Sequence, residues 1–517
     1  MLIDFTFTIA TVRSLLSLQN LLIGFIAIFS LWFMLLSASR KGKAPPGPFR
    51  LPIFGSIFAI SAFVDLKRRH LQRVELAKQY GKIFAVHLGN VPMVFLNDVA
   101  LIKEAFLTKG DVISDRLEGT STNDLLAVAL EREKGVMNTN FGKAFKERKM
   151  LALHSMKEFV VGGTTLEDRV LQESAMLVEQ FRLAAQTKAP SDIHQKLVYL
   201  AVSNVISSVV FGKRFEYADE KFVTAVNSIR FLFVQSTSQL ARIPLISRLP
   251  FVKKRLVQEL REGLHILDFL EDQINQHKED FDPNYPKDFI DLCLQKEEMD
   301  GDQSAPIQTG HIKNIILDLF LAGTDTTATS LAWFLLYMIQ YPDVQTKCHN
   351  EIDSVIETQG PPPQSSCTKN FPYTTAALLE TQRIASIAIG SIPHVVREDT
   401  IVGGYLLKKG STVSANIRYL HHDVGYWGDP LVFRPERWLD PNDASKIINH
   451  SHFIPFSVGK RRCLGENMAK LEYATFGITL LQHFKFKMED PSNPPSMEGG
   501  GLAFAPLPYK MVIEARV

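Results

Sequence analysis

Phe456-Ser457-Val458-Gly459-Lys460-Arg461-Arg462-Cys463-Leu464-Gly465 sets one cysteine between two glycines, behind a basic cluster and ahead of a helix-like run from Glu466 to Leu481. A loop that presents a thiolate to a flat iron macrocycle needs these features. Gly459 would let the backbone turn tightly and pass a bulky ring with no Cβ in the way. Gly465 would allow the same approach on the other side of the sulfur. Backbone N–H groups and the N-terminus of the following helix would stabilise negative charge on Cys463. Arg461 sits where it would pair with a carboxylate on the ring edge. The competing reading is a core cysteine beside a surface basic patch, the usual fate of a free thiol. The spacing Phe-x-x-Gly-x-Arg-x-Cys-x-Gly weighs against it, because five fixed residues arise by chance in such a chain on the order of once in several thousand.

The chain has 517 residues, 46% hydrophobic and 22% charged, so it can bury a large core. Length alone suggests roughly three domains, but no linker separates them, and residues 44–517 are expected to form one large domain. A net charge of +2 points to neither nucleic acid nor a strongly acidic ligand. Cys293, Cys348, Cys367 and Cys463 are widely spaced with no Cys-x-x-Cys. That disfavours a disulfide framework and a zinc site, and suits a reducing compartment.

Toward the N-terminus, no charge occurs between Arg13 and Arg40, and Leu21 to Leu36 is almost purely apolar. With Ser37 and Ala38 this makes about 18 residues, or ~27 Å as a helix, enough to span a bilayer. Ser37-Ala38-Ser39 would suit a cleaved signal peptide, but the apolar run is longer than a usual signal core and its flanking charge mostly follows it. Residues 1–43 are therefore expected to be an uncleaved signal-anchor. Arg40, Lys41 and Lys43 predict that the chain after it is cytosolic. The next residues, Ala44-Pro45-Pro46-Gly47-Pro48, predict a stiff extended spacer.

Leu66 to Tyr80 reads as a basic amphipathic helix. Ile83–Leu88 and Val91–Phe95 flank Gly89-Asn90 as a hairpin, and Asp98 would cap a helix running to Leu107. Helical patterns dominate from Lys143 to about Phe211. The apolar, proline-containing run 242–251 suits either a second, monotopic membrane contact or a packed loop.

A second motif lies on a long helix expected from about His311 to Gln340. Ile312, Ile315, Ile316, Leu319 and Phe320 form an apolar stripe at helical spacing. The stripe meets Ala322-Gly323-Thr324-Asp325-Thr326-Thr327, which is poor mid-helix chemistry: glycine costs stability, and threonine bonds back to the carbonyl one turn earlier. A helix that accepts this usually gains room for a ligand and polar groups aimed into an apolar pocket. Further on, Glu380 and Arg383 share a helical face. Strand-like stretches follow at Ile392–Arg397, Ile401–Leu407 and Ser411–Ile417. Leu420-His421-His422-Asp423 is not expected to bind metal, because neighbours on an extended chain point to opposite sides.

Taken together these motifs resemble the cytochrome P-450 family, from the anchor to the C-terminus, in wording most like its animal microsomal, membrane-anchored branch. The resemblance implies a mainly α fold with a small β region behind an N-terminal transmembrane helix. It implies haem b as cofactor, with Cys463 as the axial iron ligand and Phe456, Gly459, Arg461 and Gly465 shaping its loop. It makes Asp325 a proton relay and Thr326 a hydrogen-bond donor to the oxygen being activated. Glu380, Arg383 and Arg437 of Phe433-Arg434-Pro435-Glu436-Arg437-Trp438 become a buried network that braces the loop. His394 matches a position that binds a haem propionate in some relatives. One departure matters: the helix that normally gives the propionates a Trp and an Arg reads Phe145 and Lys149 here, with Arg148 one residue early. Phe145 has no hydrogen to donate and a lysine is not a bidentate fork, so haem anchoring is expected to lean on Arg116, His394 and Arg461.

The implied activity is monooxygenation of a lipophilic substrate, a steroid, fatty acid or xenobiotic, at the endoplasmic reticulum membrane. Pocket candidates by the resemblance are the 118–140 loop, Phe320, Ala322, Gly323, Ile387–Ile392 and the Gly499–Phe504 turn. No Gly-x-Gly-x-x-Gly follows a strand, so electrons would come from an NADPH-dependent flavoprotein reductase, with cytochrome b5 as a second candidate donor. Lys143, Lys146, Lys149 and Lys460–Arg462 would offer it a positive face. Two alternatives remain at this level: a haem-thiolate hydroperoxide isomerase or dehydratase, and a non-catalytic haem- or lipid-binding membrane protein. The intact Asp325-Thr326 pair disfavours both.

Overall fold

A computed structural model describes residues 20, 23–31, 43–50, 55–56, 69–88, 91–116, 135–158, 165–187, 189–234, 250–259, 261–300, 309–359 and 367–516. Most of the predicted anchor, of the 118–140 loop and of the 242–251 run lies outside these residues. The described chain is mainly helical, as expected, with small sheets.

The N-terminal part gives α1 (Arg69–Tyr80), the hairpin β1 (Ile83–Leu88) and β2 (Val91–Leu96), α2 (Val99–Lys103) and β3 (Ile113–Asp115). Asp98 caps α2 as predicted, accepting from the Ala100 and Leu101 amides at 2.9 and 3.2 Å. The helix does not run on to Leu107 in α form but widens into a π turn over Glu104–Thr108. Farther along come β4 (His394–Val396), β5 (Thr400–Val402), β6 (Tyr405–Leu407) and β7 (Thr412–Ala415). Five strands make one sheet in the order β1-β2-β7-β4-β3. Its parallel β2–β7 pair joins chain segments more than three hundred residues apart.

The proline-rich stretch is extended, but it is not free. The Ala85 amide donates to Pro46 O at 2.7 Å and the Leu406 amide to Lys43 O at 2.9 Å. A Cβ on Gly47 would stand 1.9 Å from Ala85 O. The spacer is thus docked along the sheet, and glycine is required where two backbones touch.

The helical part includes α3 (Lys143–Glu158), α4 (Leu166–Gln186), α5 (Ile193–Val210), α6 (Glu220–Val234), α7 (Thr309–Gln340), α8 (Pro372–Ala385), α9 (Ile417–His421) and α10 (Glu466–His483). Both α5 and α7 are long and apolar enough to cross a membrane, but 83% of each apolar window is buried inside the protein. A helix that is apolar all round belongs in a core, and these two pack against each other at its centre.

Leu420 and His421, expected on an extended chain, instead end the short helix α9. The rings of His421 and His422 each have their own partner. His421 Nε2 accepts the Ile454 amide at 3.2 Å, and His422 Nδ1 lies 2.9 Å from Arg418 O.

Candidate active site

The cysteine loop is built on a strained frame. Ser457 and Gly459 both have positive φ, 59° and 86°. A Cβ at Gly459 would lie 2.1 Å from Phe106 O. The backbone of the π turn after α2 therefore already requires glycine at position 459. Gly465 differs: a Cβ there would meet nothing within 4 Å. The Cys463 amide donates to Phe456 O at 3.0 Å, and its sulfur accepts from the Gly465 N–H. Cys463 is exposed. Loop atoms nevertheless crowd its sulfur, and this burial pushes the thiol pKa up; Gly465 and Arg462 oppose the shift and Glu466 adds to it.

Arg461 turns inward. Its Nε donates to Ser114 O at 2.8 Å, its Nη2 bonds Thr139 O, and its guanidinium lies 3.7 Å from the centre of the Phe145 ring. Phe145, expected from the sequence to replace a hydrogen-bonding Trp, is thus a buried shelf for a cation. Beside it, Arg116 donates to three main-chain carbonyls, Met137 at 3.1 Å, Ile392 at 3.2 Å and Pro393 at 3.0 Å. Burial and the charge of Arg461 push Arg116 down to about 9. Burial takes Arg461 to about 10, against the pull of Asp115. His394 sits between them in charge terms: burial, Arg116 and Arg461 all hold its pKa well below the usual value, so it is neutral. It stacks on Phe106 at 4.0 Å and its Nδ1 lies 2.9 Å from Ile113 O. The structure brings Arg116, Arg461 and His394 close enough for their charges to act on one another.

Two other predicted residues act on the loops here. Arg148 is buried and its Nη1 bonds Gly135 O at 3.2 Å and Thr139 Oγ1 at 2.9 Å. Lys149 Nζ donates to Lys460 O at 3.2 Å. Of the expected basic face, Lys143, Lys146 and Arg462 stay exposed. Lys460 is ion-paired with Asp111, and Arg462 and Lys470 with Glu466.

On α7, Ala322, Gly323 and Thr326 are half-buried while most of the helix around them is buried. At about 100° per residue they share one face. Phe320 is not on it: its fully buried ring packs with Phe211 and Phe269 at 5.6 and 6.4 Å. Thr326 Oγ1 donates to Ala322 O at 2.7 Å. Asp325 points elsewhere. Its Oδ1 accepts from Tyr199 of α5 at 2.8 Å, while its Oδ2 is buried without a hydrogen-bond partner among the described residues. Burial raises Asp325 to about 7, despite the Tyr199 hydrogen bond and the charge of Arg230.

Glu380 is a complete hub. It accepts from Arg383 Nε and Nη2 at 2.8 Å each, Arg437 Nε at 2.8 Å, Trp438 Nε1 at 2.9 Å and the Arg434 amide at 3.1 Å. Arg383 Nη1 then donates to His421 O at 2.7 Å, and His421 holds the Ile454 amide at the mouth of the cysteine loop.

Sequence reasoning missed Tyr199, His421 and Asp318. Asp318 is an acid inside the apolar stripe of α7, and that anomaly was the available signal. Its Oδ2 accepts the Met137 amide at 2.7 Å, and a Cβ on Gly135 would stand 2.3 Å from it. It clamps the loop that carries the Arg461 acceptors.

A family model described as Cytochrome P450 matches residues 45–513. The chain belongs to the cytochrome P450 family. Rat cytochrome P450 2U1 is 33% identical over 93% of this chain and 92% of its own length. Human cytochrome P450 2J2 is 34% identical over 94% and 93%, and mouse cytochrome P450 2J5 is 34% identical over 98% of both. As a cytochrome P450 the protein is a monooxygenase whose cofactor is haem b. The residues present suit that group. Two neighbouring half-buried guanidiniums, Arg461 depressing Arg116, are hydrogen-bonded only to carbonyls among the described residues, with Asp115 alone pulling on Arg461, and match a ring bearing two carboxylates. Cys463 itself is exposed, and a Cβ at Gly465 would meet nothing within 4 Å.

Proposed function

We propose that this cytochrome P450 is a membrane-anchored enzyme of the endoplasmic reticulum whose Cys463 thiolate ligates the haem iron, with its catalytic domain in the cytosol. Bound haem supplies the oxygen-activating chemistry that puts one atom of O₂ into a substrate and releases the other as water. Arg116 and Arg461 would take the propionates, with His394 as a neutral neighbour. Lys149, through the Lys460 carbonyl, steadies the loop, and Arg148 steadies residues 135–139 rather than the cofactor directly. Thr326 presents its hydroxyl on the half-buried face of α7, where it can redirect its hydrogen from Ala322 O toward a ligand. Asp325, held near 7, can take up and give up a proton at neutral pH.

The substrate we expect is lipophilic, because small and apolar groups line that face. Electrons would come from an NADPH-dependent flavoprotein reductase, with cytochrome b5 as a second donor, docking on the face that carries Lys143, Lys146 and Arg462.

The observation that carries the reading is the convergence of Cys463, Arg461 and Arg116 around one loop. Its test is the absorption spectrum of the reduced, carbon-monoxide-bound protein. A Soret band at the long wavelength of thiolate ligation, lost in Cys463→Ala, is expected. Folded protein that binds no haem would refute it.

A further inference from the structure

Asp325 and Thr326 are neighbours in sequence but face different surroundings. One residue of α-helix is about 100° of rotation, so the alcohol lies on the half-buried face of α7 and the acid faces α5. There the Tyr199 hydroxyl donates to Asp325 Oδ1 at 2.8 Å and lies 3.2 Å from Thr329 Oγ1. The second carboxyl oxygen, Oδ2, is buried and has no hydrogen-bond partner among the described residues. Tyr199 is buried, yet with Lys196, Val223, Val226, Asn227 and Arg230 it also lines a small cleft between α5 and α6, whose water-accessible space of about 10 Å³ suits about one water. Arg230 hangs over the Tyr199 ring at 5.6 Å and is tied to Gln195 Oε1 at 3.0 Å. Tyr199 therefore joins a surface cleft to a buried acid with an unsatisfied oxygen.

We propose that solvent protons reach Asp325 from this α5–α6 cleft through the Tyr199 hydroxyl, which also positions the acid away from the Thr326 face until it is protonated. The inference rests on reading Asp325 as the proton source for the Thr326 site. The step balances as a relay. Water in the cleft gives a proton to Tyr199 Oη as the phenolic proton passes to Asp325 Oδ1, so the tyrosine stays neutral. Protonated Asp325 later releases its proton on the Thr326 side and returns to carboxylate. A free phenolate is not required, and burial and the neighbouring acid disfavour one. Burial, Tyr199 on α5 and Arg230 on α6 set the acid's charge; nearby, Thr329 contacts the Tyr199 hydroxyl, Thr324 bonds Ser203, and Lys196 lines the cleft. Glu472 of α10 bonds Thr327.

Infrared spectroscopy of the ferric holoprotein, with neither reductase nor substrate, tests this. The C=O stretch of the Asp325 carboxyl is identified by its loss in Asp325→Asn. Its titration midpoint and its hydrogen–deuterium exchange rate after mixing into D₂O are then followed. Tyr199→Phe removes a hydrogen bond to the charged form, so the midpoint should rise by about one pH unit. Exchange should slow by about tenfold or more. Asn227→Trp, at an exposed position in the cleft, touches neither Asp325 nor Tyr199 Oη. It should slow exchange and leave the midpoint unchanged. Val223→Phe serves the same purpose if Asn227→Trp does not fold. Unchanged exchange in Tyr199→Phe and in the cleft-filling variant would overturn the proposal, since the protons would then arrive from another face. A role for Tyr199 in packing alone would move the midpoint but give the cleft variant wild-type exchange. Failure of the monooxygenase reading would show in the carbon monoxide spectrum and leave these infrared signals intact.

Discussion

Replacing Glu380 by Gln keeps the shape of the hub and removes its charge. Glu380 and Arg383 are both 0% exposed, and Glu380 is the one carboxylate bonded to Arg383 among the described residues. Arg437 keeps Asp429 at 3.1 Å, so the loss falls mainly on Arg383. Leaving a buried cation unpaired costs about 3–5 kcal/mol. Spread over the whole protein the effect looks small. At about 2 cal/mol/K of unfolding entropy per residue and roughly 470 folded residues, about 4 kcal/mol lowers Tm by only about 4 °C. Locally it is large, because Arg383 leads through His421 to the Ile454 amide and so to the cysteine loop. The assay is the urea dependence of the thiolate-type band in the reduced carbon monoxide complex, compared with far-UV circular dichroism. Glu380→Gln should lose the band at clearly lower urea than the helices, whereas wild type loses both together. Glu436→Gln is the control: its partner Lys347 is 55% exposed, and such a surface pair contributes about 0–1 kcal/mol. If Glu380→Gln and Glu436→Gln lose the band at the same urea concentration, the hub does not brace the loop.

Gly459→Ala forces a side chain into positive φ and against Phe106 O, so even the haem-free protein should be destabilised, by about 1–3 kcal/mol or more. Gly465→Ala has φ −87° and open space, so apoprotein stability should match wild type and any defect should appear only in haem affinity. Arg461→Ala should speed haem transfer to apomyoglobin by about tenfold or more, and Arg461→Lys should rescue little, because one ammonium cannot replace a fork reaching two carbonyls. His277 offers a pH test. Burial lowers its pKa, but the Asp288 hydrogen bond at 2.8 Å and charge outweigh this, and the net shift is upward. A raised folded pKa stabilises fully below the ordinary value near 6.5 and is lost as pH rises through the folded value. His277→Asn should therefore destabilise more at pH 6 than at pH 9 in urea melts.

What was legible in the chain was whatever is coded by short spacing. The cysteine loop, the Glu380–Arg383 pair one turn apart and the Ala322–Thr327 break in the stripe of α7 are all local patterns, and each sits where its spacing predicted. Partners chosen by tertiary packing leave no such trace. Tyr199 and Asp325 are 126 positions apart, and Met137 and Asp318 are 181 apart. Nothing near either member announces the other. Reasons were harder to read than residues: Gly459 was expected to pass a bulky ring, and its spacing could not show its close contact with a carbonyl 353 positions earlier by the numbering. Phe320 was misplaced because an apolar stripe does not say which of its edges faces a cavity and which faces a neighbouring helix.

The distribution of buried charge argues that two regions are built for different exchanges. At the hub, this protein meets buried arginines with a carboxylate, so it can pair such charges internally. Arg418 shows a second solution: burial takes it to about 10, and it is answered by Ala385 O at 2.8 Å and the face of Phe504 at 4.5 Å. Carbonyls and a ring are therefore enough for one isolated guanidinium. Arg116 and Arg461 have the same kind of partners, but Arg461 further depresses Arg116, and Lys149 is pushed down by burial and by Arg461 as well. A cluster of cations that repel one another is not explained by packing; an anionic ligand explains it. On α7 and α10 the surplus has the opposite sign. Asp325 and Glu472 are buried acids, each with an oxygen lacking a partner among the described residues, and burial pushes both up, Asp325 to about 7. Cations gathered at the cysteine loop and acids gathered on the central helices suit, on the reading proposed above, an anionic ligand at the first place and proton exchange at the second.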